Sequence, residues 1–282
     1  MTEHRKVEQE NQHKEWVSVI LPTYNRAAKV GKAIESVLNQ TYPYFELLII
    51  DDGSMDNTEE VVASYQDERI RYHKMPQNGG QSKARNCGMQ MASYDYLAFE
   101  DSDDLWHPRK LELQMEAMKA DETVGFSYHK LQYDLGEGRC ITLPDEKVPL
   151  EKKSGDIYAQ LLWDNLVGMP TLLMRRECLE RVGYMDESLQ CLEDYDFALR
   201  LGKHYKAVFV GEVLLDAEFS NTGVSGNSYQ YLIASCQLIQ KYKADYLATE
   251  TLNHRLEIIL RDAEQLGIQE QIVAFLEKVM QY

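Results

Sequence analysis

Acidic residues gather at three points of this 282-residue chain. Asp51 and Asp52 close the apolar run Phe45 to Ile50. Glu100, Asp101, Ser102, Asp103 and Asp104 follow the run Tyr96-Leu97-Ala98-Phe99, and Glu193, Asp194 and Asp196 follow Leu192. Carboxylates at the end of a buried strand could hold a divalent cation, because hard ions such as Mg2+ and Mn2+ take oxygen ligands and are held by one or two carboxylates beside substrate phosphates. The same residues could equally form a solvated turn in an acidic protein, since Asp and Ser favour turns and charge runs sit in water. A lone D-x-D pattern is common, so the surrounding elements must decide.

Val17 to Leu21 reads as a strand, ended by the turn-forming set Pro22-Thr23-Tyr24-Asn25-Arg26. Val30, Ile34, Val37 and Leu38 fall at helical spacing. Phe45 to Ile50 is the nearly continuous apolar run of a parallel strand covered on both faces, and it stops at Asp51-Asp52-Gly53-Ser54. A helix capped by Asp56 or Asn57 with Val61, Val62 and Tyr65 inward, a strand at Ile70 to Lys74, a glycine turn at Asn78-Gly79-Gly80 and a helix over Ser82 to Met91 lead back to the strand before Glu100. Strand and helix thus alternate through the first hundred or so residues, which predicts a βαβ series and a mostly parallel sheet with right-handed crossovers. Ligands of such sheets bind beyond the carboxyl ends of the strands. Three of those ends, at Pro22 to Arg26, Asp51 to Ser54 and Glu100 to Asp104, carry polar residues, an agreement that unrelated surface turns would not produce.

Further on, the pattern predicts a helix from Pro108 to about Lys119, a strand over Val124 to Tyr133, a loop over 134–155, a helix over Asp156 to Trp163, a strand over Met169 to Met174 and a short helix over Arg176 to Val182. The acids at Glu193 to Asp196 open another helix, strands follow at Ala207 to Val210 and Val213 to Phe219, and Tyr229 to Met280 is helical with breaks near Asp245 and Gly267. A formal charge of −16 argues against a nucleic-acid partner, which would need Lys and Arg to neutralise phosphates. A small phosphorylated ligand would instead need positive charge supplied locally by a metal, a few basic side chains or helix N-termini. Five scattered cysteines form neither a zinc pattern nor a disulfide framework. No run of about eighteen apolar residues occurs, and polar Met1 to Glu15 lacks the apolar segment of a signal peptide, so a soluble cytoplasmic protein is expected. No G-x-G-x-x-G follows the first strand, which excludes a Rossmann dehydrogenase.

Together the stretches V-S-V-I-L-P-T-Y-N-R from Val17, I-I-D-D-G-S-M-D-N-T from Ile49, G-G-Q-S-K-A-R-N-C-G from Gly79, F-E-D-S-D-D-L-W from Phe99, G-Y-M-D-E from Gly183 and L-E-D-Y-D from Leu192 resemble the family 2 glycosyltransferases. The likeness covers about residues 16–225, in the family's order and spacing. It implies an α/β GT-A fold, a nucleotide-sugar donor, a divalent metal (Mn2+ or Mg2+) and transfer with inversion. The expected organisation is a flexible tail over 1–15, a GT-A domain over 16–227 with a nucleotide half (16–106) and an acceptor half (107–227), and a helical extension over 228–282 through which the chain could oligomerise. The implied donor is a UDP- or dTDP-sugar. The implied acceptor is a glycan, lipid-linked sugar or protein in cell-surface glycan biosynthesis, reached from the cytoplasm or the inner face of the membrane.

By the same resemblance, Asp103 is the principal metal ligand and Asp101 contacts the ribose or, through water, the metal, with Ser102 beside them. Asp52 matches the position that accepts the imide N–H of uracil or thymine, and Asp51 serves either the nucleotide or the turn. Tyr24 offers a ring for the base, and Pro22, Thr23 and Asn25 shape that pocket. Arg85 pairs with the diphosphate or holds nearby carboxylates, unless it is a surface arginine. Asp194 is the general base, Glu193 holds the acceptor or the loop, and Asp196 reads as a first-turn acid favoured by the helix dipole. Glu100 stands where relatives carry an apolar residue: inward it is unpaired or functional, outward merely solvated. Many relatives carry a histidine motif where this chain has Asp216-Ala217-Glu218-Phe219, so metal binding would rest on Asp103, phosphates and water, or on Glu218. Asn221 to Asn227 reads as a closing loop or a connector, and the C-terminal helices as core packing, an acceptor lid or a dimer surface. A sugar-phosphate nucleotidyltransferase would show a glycine-rich loop on its first strand, which is missing. A catalytically silent nucleotide-sugar-binding module would have no use for Asp52, Asp103 and Asp194 together.

Overall fold

The computed structural model describes residues 15–136, 138–218 and 228–280. Three strands, β1 (Val17–Thr23), β2 (Phe45–Asp51) and β4 (Tyr96–Phe99), are buried at every residue. With β3 (Ile70–Lys74) they form a parallel half-sheet in the order β3-β2-β1-β4, joined by α1 (Val30–Leu38), α2 (Thr58–Ala63) and α3 (Gln81–Met91). Both faces are covered because successive side chains of a strand point to opposite sides. Val17, Val19 and Leu21 pack with Val30, Ile34 and Val37 of α1, while Ile20 joins Ala84 and Met89 of α3. α3 lies against β1 at Gly88, where an added Cβ would come within 2.4 Å of Ile20 Cγ2. That close approach brings the polar side of α3 up to the strand ends.

The second half of the sheet is mixed. β8 (Leu173–Arg175) runs antiparallel to both β4 and β6 (Val124–Asp134), and β6 pairs in parallel with β9 (Lys206–Glu218). The short β5 (Leu105–Trp106) adds to β9, and β7 (Cys140–Leu143) adds to β6. β7 lies inside the stretch expected to be a loop. Met169–Thr171 is a 3₁₀ turn and not the start of a strand, Pro170 lacking an N–H for a ladder. β9 is one strand with register shifts against β6 where two strands were expected.

Further helices are α4 (Lys110–Ala120), α5 (Tyr158–Trp163), α6 (Leu179–Val182) and α7 (Glu193–His204). The C-terminal segment forms α8 (Ser228–Lys241), α9 (Lys243–Ala248), α10 (Leu252–Gln265) and α11 (Gln269–Met280). It is bolted to α7 through Asp196, whose fully buried carboxylate receives Tyr242 Oη at 2.8 Å, Lys241 Nζ at 2.7 Å and Arg200 Nε at 2.9 Å. Asp196 is therefore a structural anchor rather than a dipole-favoured surface acid. Among the described residues no helix is long and apolar enough to cross a membrane.

Candidate active site

A cavity of about 650 Å³ opens beyond the carboxyl ends of β1, β2 and β4. Pro22, Thr23, Tyr24 and Arg26 line it from the end of β1, Asp52 from the end of β2, and Asp101, Ser102, Asp103 and Asp104 from the end of β4. Gln81 and Arg85 enter from α3, and Glu193 and Asp194 from the start of α7.

The turns themselves are fixed by the residues that do not reach the cavity. Asn25 adopts a left-handed conformation (φ 52°), its N–H donating to Ser54 Oγ at 2.8 Å and its Oδ1 accepting from the Met55 N–H at 2.9 Å. Asp51 is fully buried and accepts from the Ser54 N–H (2.7 Å) and the Tyr72 hydroxyl (2.5 Å), the turn-serving arrangement of its two readings. Neither Asn25 nor Asp51 is a wall residue. Asp52 is one: its Oδ1 accepts from the Gly79 N–H at 2.8 Å and its Oδ2 from the Gly80 N–H at 2.7 Å. A carboxylate oxygen has two lone pairs, so both atoms keep acceptor capacity toward a ligand. Tyr24 lines the cavity and remains 39% exposed.

Arg85 joins the two sides of the site. Its side chain is 4% exposed, with Nη2 donating to Asp101 Oδ1 at 2.6 Å and Nη1 to Glu193 Oε1 at 3.1 Å. Gln81 Nε2 donates to the same Glu193 oxygen at 2.5 Å. The surface reading of Arg85 is thereby replaced by a buried fork tying the β4 turn to the start of α7. The two carboxylates hold its guanidinium far more firmly charged than usual, overcoming the cost of burial. Glu193 is thus tied through one carboxylate oxygen to two side chains of α3.

Asp194, next in the chain, is half-buried and faces the cavity. Desolvation, reinforced by the Glu193 charge, pushes its carboxyl up to about 7, against the opposing pull of Arg85 and of the Tyr195 N–H donating to Oδ1 at 2.7 Å. A carboxylate titrating near neutrality is suited to accept a proton during reaction.

Asp103 is paired instead with Arg26, Oδ2 lying 3.2 Å from Nη2. Among the described residues the wall carries six carboxylates (Asp52, Asp101, Asp103, Asp104, Glu193, Asp194) and two guanidinium groups. Carboxylate oxygens of this kind are donors that could hold a hard cation such as Mn2+ or Mg2+. Among the described residues no three His, Cys, Asp or Glu side chains converge into a ready-made metal cluster. Asp216 binds His107 across β5 and β9, Oδ2 to Nε2 at 2.9 Å, and is not a wall residue. The side chain of Glu218 and the stretch Asn221 to Asn227 lie outside the described residues.

Behind the acidic turn, Glu100 points inward. It is fully buried, and among the described residues neither carboxylate oxygen has a hydrogen-bond partner. Burial, with Asp104 nearby, pushes its carboxyl well above the usual range despite Lys110, whose own ammonium burial lowers to about 7. Lys110 Nζ is held by Gln114 Oε1 at 2.8 Å and lies 3.9 Å from the centre of the Trp106 ring. The acid is protonated more readily in the folded protein than in the unfolded chain, so it costs stability as pH rises above about 4.5. Glu100→Gln is therefore expected to melt higher than wild type, with a gap that widens above pH 5 by up to about 1.4 kcal/mol per pH unit until the folded-state titration is complete. A gap that stays constant from pH 5 to 8 in thermal melts would show that the burial carries no such penalty.

The sequence also left wall residues unassigned. Arg26 stood in the quoted P-T-Y-N-R stretch without a role, although a basic residue at a strand end beside acids is a signal. Gln81, Tyr133, Asn165 and Tyr231 carried none.

The chain is similar to known proteins over this same region. The sequence profile described as Glycosyl transferase family 2 matches residues 18–183. A relative from Bacillus subtilis, the putative teichuronic acid biosynthesis glycosyltransferase TuaG, is 30% identical over 221 residues, which cover 76% of this chain and 83% of the relative. Among solved structures, S. aureus TarS 1–349 in complex with UDP-GlcNAc superposes with a TM-score of 0.72 at 19% identity, covering 94% of this chain and 79% of that one. The mannosyltransferase PcManGT from Pyrobaculum calidifontis in complex with GDP-Man and Mn2+ gives 0.64 at 18% identity, covering 96% and 81%.

Proposed function

Because this chain belongs to the family 2 glycosyltransferases and has their GT-A fold, we propose that it moves a sugar from a UDP- or dTDP-sugar to an acceptor hydroxyl with inversion, in the assembly of a surface glycan. One observation carries the reading: a single cavity gathers Asp52, Asp101 and Asp103 from the strand ends and Asp194 from the start of α7, with Asp194 perturbed toward neutrality. In this reading Tyr24 stacks on the base, Asp52 accepts its imide N–H, and Pro22, Thr23 and Ser102 close the pocket around the nucleoside. Asp103, with Asp101, would hold Mn2+ or Mg2+. When bound, that ion supplies charge neutralisation on the departing diphosphate.

The chemical step asked of the protein is a proton transfer at one atom. The acceptor O–H gives its proton to the Asp194 carboxylate, the oxygen forms a bond to the anomeric carbon, and the bond from that carbon to the diphosphate oxygen breaks on the opposite face. Arg85, already committed to Asp101 and Glu193, does not need to move and keeps base and donor site in register. Arg26, the more exposed cation, is the one available to turn from Asp103 to the diphosphate.

A thermal-shift screen of nucleotide sugars with and without Mn2+ tests this. A ligand at a hundredfold excess over Kd should add about 2.7 kcal/mol of stability. The shift should appear with a uridine or thymidine diphosphate sugar and Mn2+ together, and its metal-dependent part should vanish in Asp103→Asn. A response to GDP-sugars alone would remove the Asp52 base contact, and an undiminished metal response in Asp103→Asn would remove that residue as a ligand.

A further inference from the structure

Tyr133 of β6, Asn165 after α5 and Tyr231 of α8 line the same cavity as Asp194 and have no part in the steps above. Tyr133 lies within electrostatic reach of Asp194, Asp101, Asp103 and Asp104, and its hydroxyl is held more firmly protonated by burial and by those charges. Tyr231 is half-buried, and burial likewise raises its hydroxyl, with Asp164 and Cys191 among its neighbours. Cys191 immediately precedes the left-handed residue Leu192 (φ 60°) from which the turn into Glu193 and Asp194 springs.

The C-terminal helices hold this wall as well as contributing to it. The Asp196 bolt fixes α8 against α7, the helix that starts at Glu193 and Asp194. On the other flank, His254 of α10 stacks on Trp163 with ring centres 3.7 Å apart and planes 11° apart, two residues before Asn165. Helices beyond residue 183, where the family match ends, therefore set the position of both Tyr231 and Asn165.

We propose that Tyr133, Asn165 and Tyr231 form the acceptor subsite, and that its occupant is a saccharide presenting a pyranose hydroxyl to Asp194. A pyranose ring has apolar C–H faces and a rim of hydroxyls. Two tyrosines with polar tips and one carboxamide match that surface: ring faces for the C–H patches, and hydroxyl and amide groups for the rim. Leu131, Met169 and Pro170 line the cavity beside them, and the three polar groups break what would otherwise be the continuous apolar surface that a lipid chain needs. The proposal rests on the transferase reading of the cavity.

The test separates the two. Wild type, Tyr231→Ala, Tyr231→Phe and Asn165→Ala are titrated with UDP plus Mn2+, and separately with a set of p-nitrophenyl pyranosides followed by saturation-transfer NMR, with and without UDP. UDP affinity should stay within about twofold in every variant, while pyranoside affinity falls about tenfold in Tyr231→Ala and Asn165→Ala and less in Tyr231→Phe. Asn165→Ala sits on a different element and carries the test if the tyrosine variant fails to fold. Pyranoside binding unchanged in both alanine variants overturns the subsite, as does a wild type that binds hydroxyl-bearing peptides but no pyranoside. A loss of UDP affinity in step with pyranoside affinity assigns the wall to the donor and also overturns it. If wild type binds pyranosides at this wall but not UDP, the donor reading fails and the subsite stands.

Discussion

Asp194→Asn is expected to bind nucleotide sugar as wild type does and to lose transfer by about 10²–10⁴-fold, the range that removal of a general base produces. The amide keeps the shape of the side chain and can no longer take the acceptor proton. In wild type the rate should climb with pH and level off above about 7, because the carboxyl is pushed up to that value and only its ionised form works. The variant's residual rate should be flat over the same range. The stability effect has the opposite sign. An acid raised from 3.8 to about 7 by folding destabilises the native state as pH rises between those values, so Asp194→Asn should melt at or above the wild-type temperature at pH 8. An inactive variant that is also less stable would point to a structural role instead.

Arg85→Met is expected to cost about 3–5 kcal/mol of stability, the usual consequence of leaving buried charges without their partner, here Asp101 and Glu193. In a chain of this size that lowers the melting temperature by on the order of 10 °C. Nucleotide affinity should fall as well, since Asp101 loses its anchor. Arg85→Lys keeps the charge and loses the fork that spans two carboxylates. Because the charge of Arg85 helps hold the Asp194 carboxyl down, the pH limb of the remaining activity in Arg85→Met should move to higher pH, and in Arg85→Lys, which keeps a cation, it should move less. A double variant adding Glu193→Gln should recover part of the melting temperature lost in Arg85→Met. Melting curves at matched pH and a pH series of initial rates check both statements; full stability in Arg85→Met would mean the fork is dispensable.

The parallel half of the sheet and its three polar ends were legible in the sequence because their signals are short-range. Phe45 to Ile50 is apolar without interruption, and Asp51-Asp52-Gly53-Ser54 can only turn. The mixed half was not. The antiparallel insertion of β8 between β4 and β6 pairs Leu97 with Met174, a contact no local pattern announces. Exposed Ile141 and Leu143 in β7 look like loop residues beside Gly136 and Gly138. Arg85 sat in a helix with Gln81, Ser82 and Asn86, a composition that left a surface arginine open beside a holder of nearby carboxylates, and only the packing shows these polar residues buried or half-buried against the cavity and the Met185 region. Glu100 could not be oriented from sequence, since a strand's last residue follows either the pleat or the turn. Tyr231 is one aromatic among many in an amphipathic segment, and only the packing of α8 on α7 brings it to the site.

The proposed single displacement with Asp194 as the base would fix the stereochemistry of the product, and that can be observed without knowing the natural acceptor. A UDP-α-sugar that stabilises the protein is incubated with enzyme and Mn2+, and the first product is followed by proton NMR, whether a pyranoside has been glycosylated or water has taken the acceptor's place. The expected result is a β-anomer formed first, absent with Asp194→Asn. An α-anomer formed first would require two displacements and contradict the account.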